Sequence, residues 1–327
     1  MANNIQLIYT YIVTVLLMVS ATHGTSQQEV QHSLYMLDKY EHNAAYGGLD
    51  YSLSANVHYR RQWAGLGGSP STLHVNAHLP FYVWNGALGT QMGTRSLGSL
   101  NYNTVSFSYN YVLKLPGGLW SNGLRLGVDQ LRLDGSSVLT PDGIYTGGSI
   151  NHADPKLQSG LDAGFGVLWE VASYYKAAKW EAGLSLSSLP GTNIALENFV
   201  LDKRMHATAY GQYNFTILDE FDVLQSILLK TDFGSVQTDV TSIIQINGNV
   251  FGGIGLRGYS SSSLDAIVVI FGVDLSENIT LSYSYDAGLS GLRVGNEGSH
   301  GLLLNYNLQK LIGTGLPPKI IYNPRYL

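Results

Sequence analysis

The sequence predicts an all-β fold, a transmembrane outer-membrane β-barrel of about fourteen antiparallel strands. Three observations predict it. Polar and apolar residues alternate with period two from Leu49 almost to the C-terminus, and beyond an N-terminal leader no apolar run is long enough for a membrane helix. Aromatic residues gather beside the inferred turns at one end of the strands, as an interfacial girdle would. The composition agrees: charged residues are 13%, well below the usual share of a soluble domain, with 38 Gly and 22 Tyr.

In chain order, Ile5 to Val19 is apolar and is followed by the small-residue stretch Ser20 to Gly24. It is short for a membrane helix and reads as a signal peptide (1–24) cut near Ala21 or Gly24, although no Lys or Arg precedes it; an uncleaved anchor is the alternative. Residues 25–48 carry no alternation, so a short helix or a segment in the periplasmic mouth is expected there rather than a strand. From Leu49 to Arg60 the odd positions are Leu, Tyr, Leu, Ala, Val and Tyr, and the even ones Asp, Ser, Ser, Asn, His and Arg. One face of this strand is apolar and the other polar. Similar patterns place strands at 49–63, 71–79, 85–94, 102–115, 122–133, 159–171, 174–187, 204–215, 223–232, 235–246, 249–258, 264–273, 279–286 and 298–309. Residues 310–327 are left as a periplasmic tail.

An even strand count puts both termini on one side, taken as periplasmic. Loops after odd strands then face outward, and the long connections 134–158, 188–203 and 287–297 fall there. Ala172-Ser173 and the hairpin pair Asn247-Gly248 read as short inward turns. The outward link Phe233-Gly234 is shorter than this pattern leads one to expect. Trp84, Trp120, Trp169, Trp180, Phe81, Tyr82, Tyr174, Tyr175, Tyr213 and Phe215 form the expected girdle. Asn56, His58, His74, Asn76, Asp162, Glu170 and His206 are expected to face the lumen. Leu53, Val57, Val75, Phe165 and Leu184 are expected to face lipid.

No catalytic constellation stands out. His74 and His78 lie four apart on a strand, about 13 Å, too far for one ion. Gly253 to Gly258 matches G-x-G-x-x-G but is followed by no helix start. Ser299 and His300 are adjacent and point to opposite faces. The absence of cysteine excludes disulfides, thiolate metal sites and a lipidated cysteine, and a net charge of −5 without basic blocks argues against nucleic acid. No cofactor, metal or enzymatic role is expected.

Short motifs carry more. Asn43-Ala44-Ala45-Tyr46-Gly47-Gly48 is similar to an N-P-A-Y-A-G opening, and Tyr59-Arg60-Arg61-Gln62-Trp63 with Gly68 to Thr72 is similar to Y-R-x-Q-W…G-x-P-x-T. Asp154-Pro155, Tyr283-Ser284-Tyr285-Asp286, Gly298-Ser299-His300 and Asn323-Pro324-Arg325-Tyr326-Leu327 follow in order. Together they resemble the PorP/SprF family of the Bacteroidetes type IX secretion system. Ala44 replaces that family's proline, and Gly301 its usual glutamate.

The resemblance implies a non-enzymatic outer-membrane barrel that partners the secretion translocon and receives or anchors secreted cargo through C-terminal domains. Periplasmic secretion or gliding-motility components are further implied partners. A passive porin or small-molecule transporter is the alternative. Tyr59, Arg60, Gln62 and Trp63 end the first strand, Tyr283, Tyr285 and Asp286 the thirteenth, and Ser299 and His300 begin the fourteenth. In a closed barrel they meet at one seam of the outer rim, and the loop bearing Asp154 and Pro155 can fold over it. They either bind a partner or close the seam.

Overall fold

Alternation commits each segment to an extended chain with two unlike faces, and such segments hide their backbone polar groups in a membrane only by closing into a ring. A computed structural model of the chain describes residues 31–81, 84–146, 150–188, 192–198, 200–217, 221–246, 249–260, 263–289 and 295–312. The strands are β1 Ser54–Arg61, β2 Ser71–Phe81, β3 Gly86–Leu97, β4 Leu100–Leu115, β5 Gly118–Asp134, β6 Leu161–Ala177, β7 Trp180–Ser187, β8 Ile194–Ala195 and β9 Val200–Leu201. They continue as β10 His206–Ile217, β11 Phe221–Thr231, β12 Val236–Ile246, β13 Val250–Ser260, β14 Ser263–Ser276, β15 Ile279–Gly288 and β16 Ser299–Asn307. Neighbours pair antiparallel, and β1 with β16 and β5 with β6 complete a closed ring of fourteen strands. The two-residue strands β8 and β9 form a loop hairpin, which pairs with β6 beyond the end of the short β7 (Phe165 opposite Ala195).

The inside–outside assignments follow parity. Asn56, His58, His74, Asn76, Asp162 and Glu170 are buried, whereas Val57, Val75, Phe165 and Leu184 are among the exposed large apolar residues. His206, half-buried at the rim, keeps the parity of the inward Tyr210 and Gln212. Leu53 lies just before β1 and is half-buried.

Three local expectations change. Ala172 and Ser173 are not a turn: β6 runs on to Ala177 and turns before Trp180. Its doubled aromatics are split by the pleat, with Tyr174 inside at 1% exposure and Tyr175 outside, stacked on Trp180 at 4.9 Å. Tyr174 therefore leaves the girdle, and so does Trp169, which pairs with Leu126 far from that turn. The link from Thr231 to Val236 is tight because Asp232 Oδ1 accepts from the N–H groups of Gly234 (3.0 Å) and Ser235 (2.8 Å). The remaining girdle is continuous around Trp84, whose ring meets Phe81 at 5.2 Å and Tyr109 at 6.1 Å. The leader, Tyr82, the Asn247-Gly248 turn and the Asn323–Leu327 motif lie outside the described residues.

The interior is filled by the chain's own residues 31–50. Asp38 caps a single helical turn, Lys39–His42, through Glu41 N–H (3.2 Å). Asn43 caps a 3₁₀ turn, Ala44–Tyr46, through Ala45 N–H (3.0 Å). Leu34, Tyr35, Met36, Ala44, Ala45 and Leu49 form one buried cluster with wall residues that include Leu228, Ile243, Phe251, Val268, Ile270 and Leu303. The inner face of β11–β16 is thus partly apolar. Gly123 lets backbone meet backbone here, since a Cβ on it would stand 2.7 Å from Ala45 N. The segment spans the lumen lengthwise: Asp50 bonds Asn307 at the short-turn end (3.1 Å), and Gln31 accepts from Gln62 near the long-loop end (3.3 Å).

Candidate functional site

The seam brings most of the motif residues together. Arg61 stands opposite His300 across β1 and β16, and Tyr285 and Asp286 stand opposite His300 and Ser299 across β15 and β16. Parity then divides the set into two groups with different neighbours. Tyr59 (45% exposed) and Tyr283 (40%) face outward with Tyr285 and His300. Tyr283 Oη lies 2.7 Å from His300 Nδ1, and the Tyr285 and His300 rings are 5.3 Å apart. Trp63, half-buried, adopts a left-handed φ of +52°, uncommon for so bulky a residue. Its N–H donates to Ser299 Oγ (3.1 Å), while Ala64 and Gly298 (2.8 Å), and Glu297 and Ala64 (2.8 Å), join the two rim loops backbone to backbone.

The inward group is ionic. Asp286 accepts from Arg60 Nη2 (2.6 Å), Arg257 Nη1 (2.7 Å) and Ser33 Oγ (2.8 Å). Arg257 Nε reaches Asp239 (3.1 Å), so two guanidinium groups and two carboxylates balance in a buried array with the lumen segment's Ser33 at its centre. Asp154 and Pro155 do not join the seam. Both are exposed, Asp154 accepts from Lys156 N–H (2.8 Å), and Leu157 packs on the Leu131–Leu133–Ile194–Leu196 cluster over β5.

The lumen segment is bonded to the wall on every side. Tyr35 Oη donates to Asp239 O (3.2 Å), Asn76 Nδ2 to Asp38 (2.6 Å) and Lys39 Nζ to Glu181 (2.9 Å). Tyr40 Oη meets Ser108 Oγ (2.6 Å), Arg125 donates to Tyr40 O (2.6 Å), and Asn110 Nδ2 donates to Gly47 O (2.8 Å). Ala44 N–H donates to Glu170 Oε1 (2.8 Å), a bond that the family proline cannot make. Gly301, the other departure, faces the lumen, and a Cβ there would stand 2.4 Å from Ser284 Oγ, which would have to turn away, and 3.7 Å from His58 Nε2.

A cluster that sequence reasoning missed sits where this segment meets β1 and β2. His58 and His74 are direct cross-strand partners, and the lumen segment brings in a third histidine, His32, and the carboxylate of Glu41. His32 Nδ1 is 3.0 Å from Glu41 Oε1, His58 Nδ1 is 3.5 Å from Glu41 Oε2, and His74 Nδ1 is 3.2 Å from Glu41 Oε1. His32 and His58 face each other, Nδ1 to Nδ1, at 3.4 Å. Spacing along one strand correctly separates His74 from His78, but it is blind to a neighbour across the ladder and to a segment returning through the lumen.

Fold and interior together define an outer-membrane barrel whose lumen is occupied by its own N-terminal segment. The chain belongs to the PorP/SprF family of type IX secretion system membrane proteins, whose family model matches residues 24–306. No curated protein matches the sequence. Among solved structures it is similar to the Acinetobacter baumannii outer membrane protein Omp33, at 8% identity and a TM-score of 0.47 over 80% of this chain and 99% of that one. It is also similar to the KdgM porin (9%, 0.37, 77% and 98%) and to a triple mutant of the Rhodopseudomonas blastica porin (10%, 0.36, 78% and 99%).

Proposed function

We propose that this barrel is a non-enzymatic component of type IX secretion that receives secreted proteins, through their C-terminal domains, at the rim of its β1–β16 seam. In this reading residues 1–24 are an export signal, the short-turn end faces the periplasm, and the barrel works beside the translocon. One observation carries the docking site: Tyr59, Tyr283, Tyr285, His300 and Trp63 gather at one rim position, joined by paired loops. Aromatic side chains on a rigid support favour interface anchors. The occupied lumen weighs against the diffusion-porin reading, although a cavity of 820 Å³ opens between Leu37, Phe251 and Leu303 and the polar residues Asn214, Asp222 and Asp274.

Trp63→Ala tests the docking reading. Loss of an aromatic anchor costs about 2 kcal/mol or more, so cargo retained per folded barrel falls more than tenfold while barrel yield holds. A drop in yield or heat resistance with unaltered binding per folded barrel refutes docking and leaves Trp63 as a seam residue. Planar-bilayer conductance of the intact barrel separates the porin reading, which requires steady open-channel current.

A further inference from the structure

We propose that His32, Glu41 and His58 form a binding site for one divalent transition-metal ion of the zinc type, which clamps the lumen segment to the barrel wall. Two imidazole nitrogens and a carboxylate are a donor set suited to zinc, and three protein ligands leave its fourth position for water or another group. Ligands about 2.0–2.1 Å from a tetrahedral ion stand about 3.3 Å from one another. His32 Nδ1 stands 3.0 Å from Glu41 Oε1 and 3.4 Å from His58 Nδ1, and His58 Nδ1 stands 3.5 Å from Glu41 Oε2, so one ion fits between the two rings with the carboxylate turned to offer either oxygen.

The arrangement is poorly explained by hydrogen bonding alone. With both rings donating from Nδ1 to Glu41, two N–H groups would face each other at 3.4 Å in a buried site. An ion removes that conflict, because both nitrogens then present lone pairs to one centre. Glu41 Oε1, His58 Nε2 and both ring nitrogens of His74 have no hydrogen-bond partner among the described residues, and buried polar atoms so placed call for an explanation. His74 Nδ1 stands 3.2 Å from Glu41 Oε1 outside hydrogen-bonding geometry, so a turn of its ring would let it donate to the carboxylate as the outer partners of metal ligands do. Asp38, Glu41 and His74 converge as a second three-donor set sharing the same carboxylate, so the surroundings are rich in donors.

The ligands also explain what an ion would do. His32 and Glu41 lie at the two ends of the loop that carries Leu34, Tyr35 and Met36, and His58 is on β1, next to the seam. Binding closes that loop onto the strand that completes the ring and adds stability only to the state with the segment in place. The inference stands apart from the docking reading, since it concerns the lumen and not the rim.

The test uses the full-length barrel, purified from outer membranes in detergent, incubated with Zn²⁺ and desalted. About one zinc per folded barrel is expected by mass spectrometry of the metal, and Co²⁺ loading should give the ligand-field absorption of a tetrahedral site. His32→Ala and Glu41→Gln should each lower bound zinc about tenfold or more, and His300→Ala should not change it. Folding is scored in every sample by heat-modifiable gel mobility. His32 makes fewer of the lumen segment's contacts than Glu41, whose carboxylate faces three histidines, so its variant remains decisive if Glu41→Gln fails to assemble. A folded wild-type barrel with less than about a tenth of a zinc after loading overturns the proposal. Full zinc retention by the folded His32→Ala variant overturns it equally.

Discussion

Neutralising Asp286 is the sharpest probe of the seam. In Asp286→Asn the side chain keeps its size but loses the charge that faces Arg60 at 2.6 Å and Arg257 at 2.7 Å. The array of two cations and two anions becomes one with an excess positive charge, in a site where the Asp286, Arg60 and Arg257 side chains are only 2–3% exposed. Removing one partner of a buried pair costs about 3–5 kcal/mol because the remaining charge stays desolvated. That is more than a hundredfold in the ratio of folded to unfolded barrel. Urea titration of the detergent-solubilised protein, followed by heat-modifiable mobility, should show the loss. Cargo binding per folded barrel should not change, since Asp286 points away from the rim surface. Arg60→Met combined with Asp286→Leu should cost less than Asp286→Asn alone, because Arg257 keeps Asp239. Stability within about 1 kcal/mol of wild type, together with lost cargo binding, would refute this account and make Asp286 a surface contact.

Ala44→Pro removes the N–H that bonds Glu170 and should cost about 1–2 kcal/mol, since the lost bond to a charged group outweighs the smaller gain from a stiffer chain. Equal or greater urea resistance than wild type would contradict this. Deletion of residues 31–48 should leave a barrel that conducts steadily in planar bilayers, because that segment bonds the wall from β1 to β15. A silent deletion barrel would mean that other residues block the lumen. Burial pushes the Asp232 carboxyl up, but the N–H groups of Ser235 and Gly234 outweigh it and hold the group below its ordinary range. Its contribution is therefore present above about pH 4 and is lost as pH falls through the lowered folded value. The protection factor of the Ser235 amide, its exchange relative to the intrinsic rate at each pH, should fall on acidification, with Asp232→Ala showing low protection at all pH values.

The period-two pattern by itself determined the fold class, the strand count, most strand bounds and the side each residue faces, because a strand's pleat converts sequence parity directly into position. Val57 and Val75 outside, and Asn56 and Asn76 inside, need no further information. The ring's closure followed as well, since an open edge cannot stand in lipid. Alternation and turn residues could not locate the end of β6, where Tyr174 and Tyr175 look alike in sequence but serve the lumen and the lipid interface. They were equally silent about residues 31–48, which carry no period and owe their conformation to the wall around them, and they began the first strand at Leu49, which packs in the lumen, rather than at Ser54. The seam motif was legible as a convergence, yet its division into an aromatic outer group and an ionic inner group needed the register of β15, β16 and β1. The His32–Glu41–His58 cluster was invisible for the same reason. Its members are far apart in sequence, and only closure of the ring around a returning segment brings their donor atoms within 3.0–3.5 Å.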